Sequence, residues 1–458
     1  MHRLDRSNEV LTQAVVRYAL ERMRLDPPPL DHARTEAELR AMAGRTVTRE
    51  GIGGLEALRI FSEVLAPACI SIDHPRFLSF VPSAPTEAAT LFELVVGASG
   101  LFGGTWLESS GAVFAENEAL RWLADLAGLP PSSGGVFVSG GSAGNLSALV
   151  AARHVWRERA PERRLIRPLI VCSTGAHSSV ISSAGVMDAD VLAVEADDRG
   201  RASGDAMSAG LAALGTVDRD RVAAVVATAG TTNVGVVDDL SGIGEAAGAF
   251  GAWFHVDAAY GGAALAVASA RPLFDGIERA DSFVVDPHKW LFAPFDCAAL
   301  VYREPSIARA THTQHAEYLD VVTDTPDWNP SDYAYHLSRR ARGLPFWFSL
   351  ATHGTDAYAA AIEHSLRLAA DAADLIRKAD HLELVLEPGL SIVVFRRLGW
   401  AREDYYRWSD HTLDEGLAFV VPTSWRGETV LRFCFVNPRT TLDDVESILG
   451  SMAPGPQL

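Results

Sequence analysis

Seven short apolar runs, GVFVS, RPLIVCS, DVLAVEA, VAAVVATAG, WFHVD, DSFVVD and CAALVY, recur between His74 and Arg303. Each has a stretch of helical period before or after it. Runs that are apolar throughout, rather than alternating, belong to strands of a sheet covered on both faces. The pattern therefore predicts an α/β domain. Before it, MHRLDRSNEVLTQAVVRYALERMRL has the spacing of an amphipathic helix, and one or two more helices follow across the proline-rich DPPPLDHA and the turn REGIGGLEAL. Residues 1–75 thus form a helical arm and residues 76–305 the large α/β domain. Residues 306–340 contain THTQHAEYLDVVTDTPDWNPSD, which lacks apolar periodicity and is expected to be a lid or a disordered loop. Residues 341–458 read as a small α+β domain: one long helix from about Arg342 to Ala379, strands in ELVLEPGLSIVVFRR, GLAFVVPTSW and TVLRFCFVNP, and a last helix.

Composition narrows the class. With 48% hydrophobic residues in a 458-residue chain there is ample material for more than one core. The formal charge of −18 argues against nucleic acid or an anionic membrane as partner. Cys69, Cys172, Cys297 and Cys434 are scattered without metal-ligand spacing, so no zinc site or disulfide framework is expected. The chain shows no signal-peptide core and no run of 18 apolar residues, and a cytoplasmic location is expected.

Three segments carry candidate chemistry. In GVFVSGGSAGNLSALVAARHVW a strand meets a glycine turn and a helix, so the amides of Gly140, Gly141 and Ser142 suit an anion such as phosphate, with Ser142 and Asn145 as added donors. The same letters spell the G-x-S-x-G nucleophile elbow of serine hydrolases, with Ser142 as nucleophile, and a plain tight turn explains them as well. In WFHVDAAYGG, Asp257 closes a strand where open α/β sheets bind ligands, or else caps the next helix. In VVDPHKWLFAPFDC, Lys289 ends an apolar run, a costly place for an unpaired ammonium. A phosphate cradle, a carboxylate for a pyridinium nitrogen and a lysine able to form a Schiff base are together what pyridoxal phosphate requires.

HVDAAYGG, ADSFVVDPHKWLFAPFDCAALVY, TGAHSSV and GGVFVSGGSAGNLSALVAAR resemble the motifs of the group II pyridoxal-phosphate amino-acid decarboxylases, most of all the aromatic L-amino-acid decarboxylases. The resemblance implies a type I, aspartate-aminotransferase-like fold with a mostly parallel central sheet and a smaller C-terminal domain. It also implies an obligate homodimer with its sites at the interface. Carried over residue by residue, Lys289 matches the lysine that holds pyridoxal 5′-phosphate as a Schiff base, and Asp257 the partner of the pyridine nitrogen. His177 matches the imidazole stacked on the ring, and Thr232 and Ala259 match ring contacts; Gly141, Ser142 and His288 match phosphate-side positions. Tyr318 matches a mobile-loop tyrosine that protonates the product carbanion, while Phe80 and Phe102 match positions near the substrate side chain, alongside His177. The expected reaction is decarboxylation of an L-amino acid, aromatic by preference, to the amine through a quinonoid. An aldehyde synthase or another lyase on the same scaffold is the rival. The chain departs from the family at Ala143-Gly144, where Glu-Ala is common.

Overall fold

The apolar runs become strands β1 (Gly134–Val138), β2 (Leu169–Ser173), β3 (Asp190–Val194), β4 (Val222–Thr228), β5 (Trp253–Asp257), β6 (Ser282–Val285) and β7 (Ala298–Tyr302) in a computed structural model that describes residues 6–82, 84–317 and 326–453. They form one sheet in the order β1-β7-β6-β5-β4-β2-β3. β2, β3, β4, β5 and β6 pair in parallel, whereas β7 is antiparallel to both β1 and β6. β1 to β6 therefore share one direction, and the turns that leave β1, β2, β4, β5 and β6 gather at one edge of the sheet. That edge is where such sheets bind ligands.

The absence of alternation in these runs has its cause in the layers. β2, β4, β5, β6 and β7 are buried at every position. Successive residues enter opposite layers, Phe254 and Val256 of β5 joining one core and Trp253 the other. His255 and Asp257 keep the period of Trp253, so all three face the helix Gly141–Glu158, whose Ala148, Leu149 and Ala152 share that core. The helix comes close to the sheet at Gly144, where an added Cβ would lie 2.6 Å from Val284 Cγ2. That contact is the physical reason for glycine at the departure from the family pattern.

A second sheet, wholly antiparallel, has the order β10-β11-β9-β8, from β8 (Leu382–Leu386), β9 (Ile392–Arg397), β10 (Thr423–Trp425) and β11 (Glu428–Cys434). Phe395, Phe433 and Phe435 pack with Ile376, Trp408 and Ile448 of its covering helices. The central sheet and this smaller one are the fold expected from the sequence. The single helix predicted from about Arg342 to Ala379 is instead two, Leu344–His353 and Thr355–Lys378. Gly354 breaks it at φ +76°, a conformation that costs glycine little and other residues more. Among the described residues no helix is long and apolar enough to cross a membrane.

A buried ion pair joins the large domain to the segment around Arg339. Glu116, in the helix Trp106–Leu126, accepts from both terminal nitrogens of Arg339 at 2.7 Å and from the Gly343 amide at 2.8 Å. Arg339 also donates to Gly103 O, beside Phe102, and Gly103 N returns a bond to Arg339 O.

Candidate active site

The strand-end turns enclose a cavity of about 310 Å³ lined by Gly141, Ser142, Asn145, His177, Thr232, Asp257, Ala259, His288, Lys289 and Phe295, among others. Eight of these ten positions come from the turns after β1, β2, β4, β5 and β6 or the helical turn they open into, and Asp257 is the last residue of β5. Phe295 comes from the segment that leads into β7. A larger opening of about 620 Å³ shares Ser142 and His177 and continues along Ser178, Ser182, Ser183 and Tyr335.

Lys289 is not alone in an apolar setting, as its flanking sequence suggests. Its Nζ lies 3.0 Å from Asp286 Oδ2, and its side chain keeps 23% exposure beside an almost wholly buried carboxylate. The ammonium is thus held by an ion pair as well as by its surroundings. The Gly141 amide donates to Asp286 Oδ2 at 3.1 Å. His288 accepts from the Cys297 amide on Nδ1 at 3.0 Å, which leaves its Nε2 to carry the proton, 3.5 Å from Asp286 Oδ2. Burial pushes the His288 pKa down, with Asp286 opposing. The Phe295 ring lies 4.6 Å from the imidazole.

Asp257 does not cap a helix. Its Oδ1 accepts from the Ala259 amide at 3.1 Å and its Oδ2 from Asn145 Nδ2 at 2.8 Å. Asn145, expected among the phosphate donors, is turned inward: Nδ2 also reaches Ser179 Oγ at 2.8 Å, and Oδ1 lies 2.9 Å from His255 Nε2. Burial lowers the His255 pKa to about 4. His177 caps the helix Ser178–Val186 and stands exposed at the cavity, its Nδ1 taking the Ser179 amide at 3.2 Å.

Two expected substrate contacts lie elsewhere in a single chain. Phe80 is 51% exposed and packs with Phe77 and Phe419, and Phe102 is half-buried near Gly104; neither is among the residues lining the cavity. Tyr318 falls outside the described residues. The serine-hydrolase arrangement is not assembled, for among the described residues no hydrogen bond joins Ser142 to a histidine, and the Nδ1 of His288 is taken up by the Cys297 amide.

Sequence reasoning missed Asp286, His255, Ser179 and Arg432. Asp286 stands three residues before Lys289 in the quoted motif, and His255 lies two residues before Asp257 on β5, a period-two signal. Arg432 of β11 is buried and donates to Ser79 O at 3.0 and 3.2 Å and to Thr232 O, tying the small domain to the cavity rim. No local pattern marks that role.

The cavity suits pyridoxal phosphate. Thr228 lines it and keeps its buried Oγ1 without a partner among the described residues, free to meet a bound group. An added Cβ at Gly141 would sit 3.0 Å from Ala259 Cβ and 3.1 Å from Asp286 Oδ2, so glycine keeps the cradle open.

The pyridoxal-dependent decarboxylase conserved domain matches residues 56–398. Aromatic-L-amino-acid decarboxylase of Bacillus atrophaeus is 29% identical over 423 residues, covering 90% of this chain and 87% of the relative. L-2,4-diaminobutyrate decarboxylase of Acinetobacter baumannii is 28% identical over 442 residues, covering 91% and 86%. The crystal structure of Oryza sativa TDC with PLP and tryptamine has the same fold, with a TM-score of 0.90 at 24% identity over 99% of both chains. A family match over most of the chain, on a fold that brings Lys289, Asp257 and His177 into one cavity, places this protein in the pyridoxal-dependent decarboxylase family: it is a carboxy-lyase acting on an amino acid, with pyridoxal 5′-phosphate as cofactor.

Proposed function

We propose that the protein converts an aromatic L-amino acid to its amine and carbon dioxide. The observation that carries the reading is the convergence of Lys289, Asp257, His177 and the Gly141–Ser142 turn on one 310 Å³ cavity. Pyridoxal phosphate, when bound, supplies an electron sink for the pair left at Cα as carbon dioxide departs. Lys289 would hold it covalently through Nζ, and Gly141, Ser142 and His288 would hold its phosphate at the helix N-terminus. Asp257 would keep the pyridine nitrogen protonated, a charge-assisted hydrogen bond worth about 1.5–3 kcal/mol net. His177, Thr232 and Ala259 would face the ring. Tyr318 is the proposed donor of the proton to Cα, with His177 as relay.

The lining supports an aromatic side chain over an acidic one. Phe295 lines the cavity, and Lys289 is the one Lys or Arg among its described lining residues, opposite Asp257 and Asp286. With Lys289 holding the cofactor, a second carboxylate on the substrate would find no Lys or Arg among those lining residues to pair with it. Phe80 and Phe102 are proposed to reach the site in a homodimer. Exposed apolar side chains on the helix Glu87–Ser99 (Leu91, Leu94, Val95) and on the helix Trp106–Leu126 (Leu107, Phe114) support that assembly. The unpaired cysteines agree with a cytoplasmic protein.

Measuring carbon dioxide release from each of the twenty amino acids tests the proposal. Turnover of tryptophan, tyrosine, phenylalanine or dihydroxyphenylalanine well above the rest is expected. Preference for diaminobutyrate, histidine or glutamate refutes the aromatic assignment, and aldehyde with ammonia and peroxide among the products refutes simple decarboxylation.

A further inference from the structure

Behind Asp257 lies an unbroken line of buried hydrogen bonds whose direction is fixed from the carboxylate end: Asp257 Oδ2 only accepts, so Asn145 presents Nδ2 to it and Oδ1 to His255, and neutral His255 then takes a proton from Ser282 on Nδ1. Trp253 Nε1 can only donate, and does so to Ser282 Oγ at 2.8 Å. Ser282 then gives its own proton to His255 Nδ1, also at 2.8 Å. His255 Nε2 carries the ring proton and points it at Asn145 Oδ1, 2.9 Å away. With Oδ1 accepting, Asn145 spends its two amide protons on Asp257 Oδ2 and Ser179 Oγ. Ser179 Oγ lies 2.8 Å from His177 Nδ1 and completes the line to the open cavity. Trp253, Ser282, His255, Asn145, Ser179 and Asp257 are all buried.

We propose that Asn145 is a positioning residue that fixes two cavity groups at once, the carboxylate of Asp257 directly and the imidazole of His177 through Ser179, with His255, Ser282 and Trp253 as its backing. The proposal rests on the reading above, in which Asp257 and His177 both face the cofactor ring. Its physical basis is that a carboxylate on a strand end rotates about χ1 and χ2 unless its oxygens are held. Here each oxygen has one donor, the Ala259 amide for Oδ1 and Asn145 for Oδ2. Neutral His255 suits the line, because a doubly protonated ring would make Ser282 accept from both Trp253 and His255 and leave its own O–H without its acceptor in the line. Burial keeps it neutral. The register makes the line possible: His255 stands opposite Ser282 across β5 and β6.

The test uses the full chain loaded with pyridoxal phosphate. Asn145→Ala is expected to lower kcat by about 10- to 100-fold, the worth of one hydrogen bond to a charged group, with substrate KM changed less than about threefold. Its dissociation constant for pyridoxal phosphate, from equilibrium dialysis, should rise, and the near-visible absorbance of the bound cofactor should change. His255→Gln, which keeps a donor near the place of Nε2, should stay near wild type in all three, whereas His255→Leu should resemble Asn145→Ala. Ser179→Ala should lower kcat without changing cofactor affinity. Wild-type kcat, affinity and absorbance in Asn145→Ala overturn the proposal, as does a His255→Gln variant indistinguishable from His255→Leu. A wild-type protein that gains no near-visible absorbance with pyridoxal phosphate overturns the functional reading and this proposal together; a normal wild-type band with unaltered variants overturns this proposal alone.

Discussion

Replacing Arg339 by alanine should destabilise the chain by about 3–5 kcal/mol, the cost of stranding one member of a buried ion pair. The figure follows from what is left behind. Glu116 is 2% exposed, and two of the three donors on its carboxylate are Arg339 nitrogens at 2.7 Å. Without them the charge keeps, among the described residues, the Gly343 amide alone. Gly103 O loses its guanidinium partner as well. Replacing both charges, as Glu116→Leu with Arg339→Met, strands two neutral backbone groups instead, at about 1–3 kcal/mol each, and removes the desolvation cost of two buried ions. The double variant should therefore be at least as stable as Arg339→Ala, well short of the sum of the single changes. Urea unfolding followed by tryptophan fluorescence, with Glu116→Leu, Arg339→Met and the double variant compared at equal slope, gives the coupling energy directly. Costs that simply add, with a coupling below about 0.5 kcal/mol, would refute the view that the pair acts as a buried unit. Because the pair anchors the segment bearing Phe102, the single variants should also lose activity at temperatures where they remain folded.

Other changes report on the site and on pH. Asp257→Ala should lower turnover far more than cofactor occupancy explains, and normal kinetics at saturating pyridoxal phosphate would remove Asp257 from its proposed role. Tyr318→Phe should divert product from amine to aldehyde, read by amine, ammonia and peroxide assays; a variant that still makes amine alone would leave the tyrosine without that part. Gly141→Ala places a methyl 3.0 Å from Ala259 Cβ and 3.1 Å from Asp286 Oδ2, and should weaken cofactor binding by about tenfold or more and cost the cofactor-free protein about 1–3 kcal/mol by overpacking; an unchanged dissociation constant for pyridoxal phosphate would contradict the cradle. His312 is buried against Ser147 O, and burial lowers its pKa to about 4 from an ordinary value of 6.5. As pH falls from 6.5 towards 4 the unfolded chain takes up a proton there that the folded chain refuses. Its contribution to stability is thus present above 6.5 and lost on acidification, at up to about 1.4 kcal/mol per pH unit. His312→Gln should show a shallower decline of the urea midpoint over that interval, and an identical decline would contradict the assignment.

The chain's own order of residues determined the seven strands of the central sheet, because burial on both faces writes itself as local apolar runs. It also determined the positions of Lys289, Asp257, His177 and the Gly141–Ser142 turn, since each sits where a strand or turn ends and the motif is contiguous. Tertiary structure decided their partners. Asp286 stands three residues before Lys289, but only the folded turn between them decides that its side chain meets the lysine rather than capping that turn. Asn145 reads as a polar residue in a helix's first turn, and only the close seating of that helix on β6 at Gly144 turns it toward Asp257. His255 meets Ser282 through strand register, and Glu116 meets Arg339 across 223 positions of chain. The division is physical: periodicity and turn chemistry act over a few residues and are written locally, whereas a buried hydrogen bond depends on which distant backbones come within about 3 Å, and packing alone sets that distance.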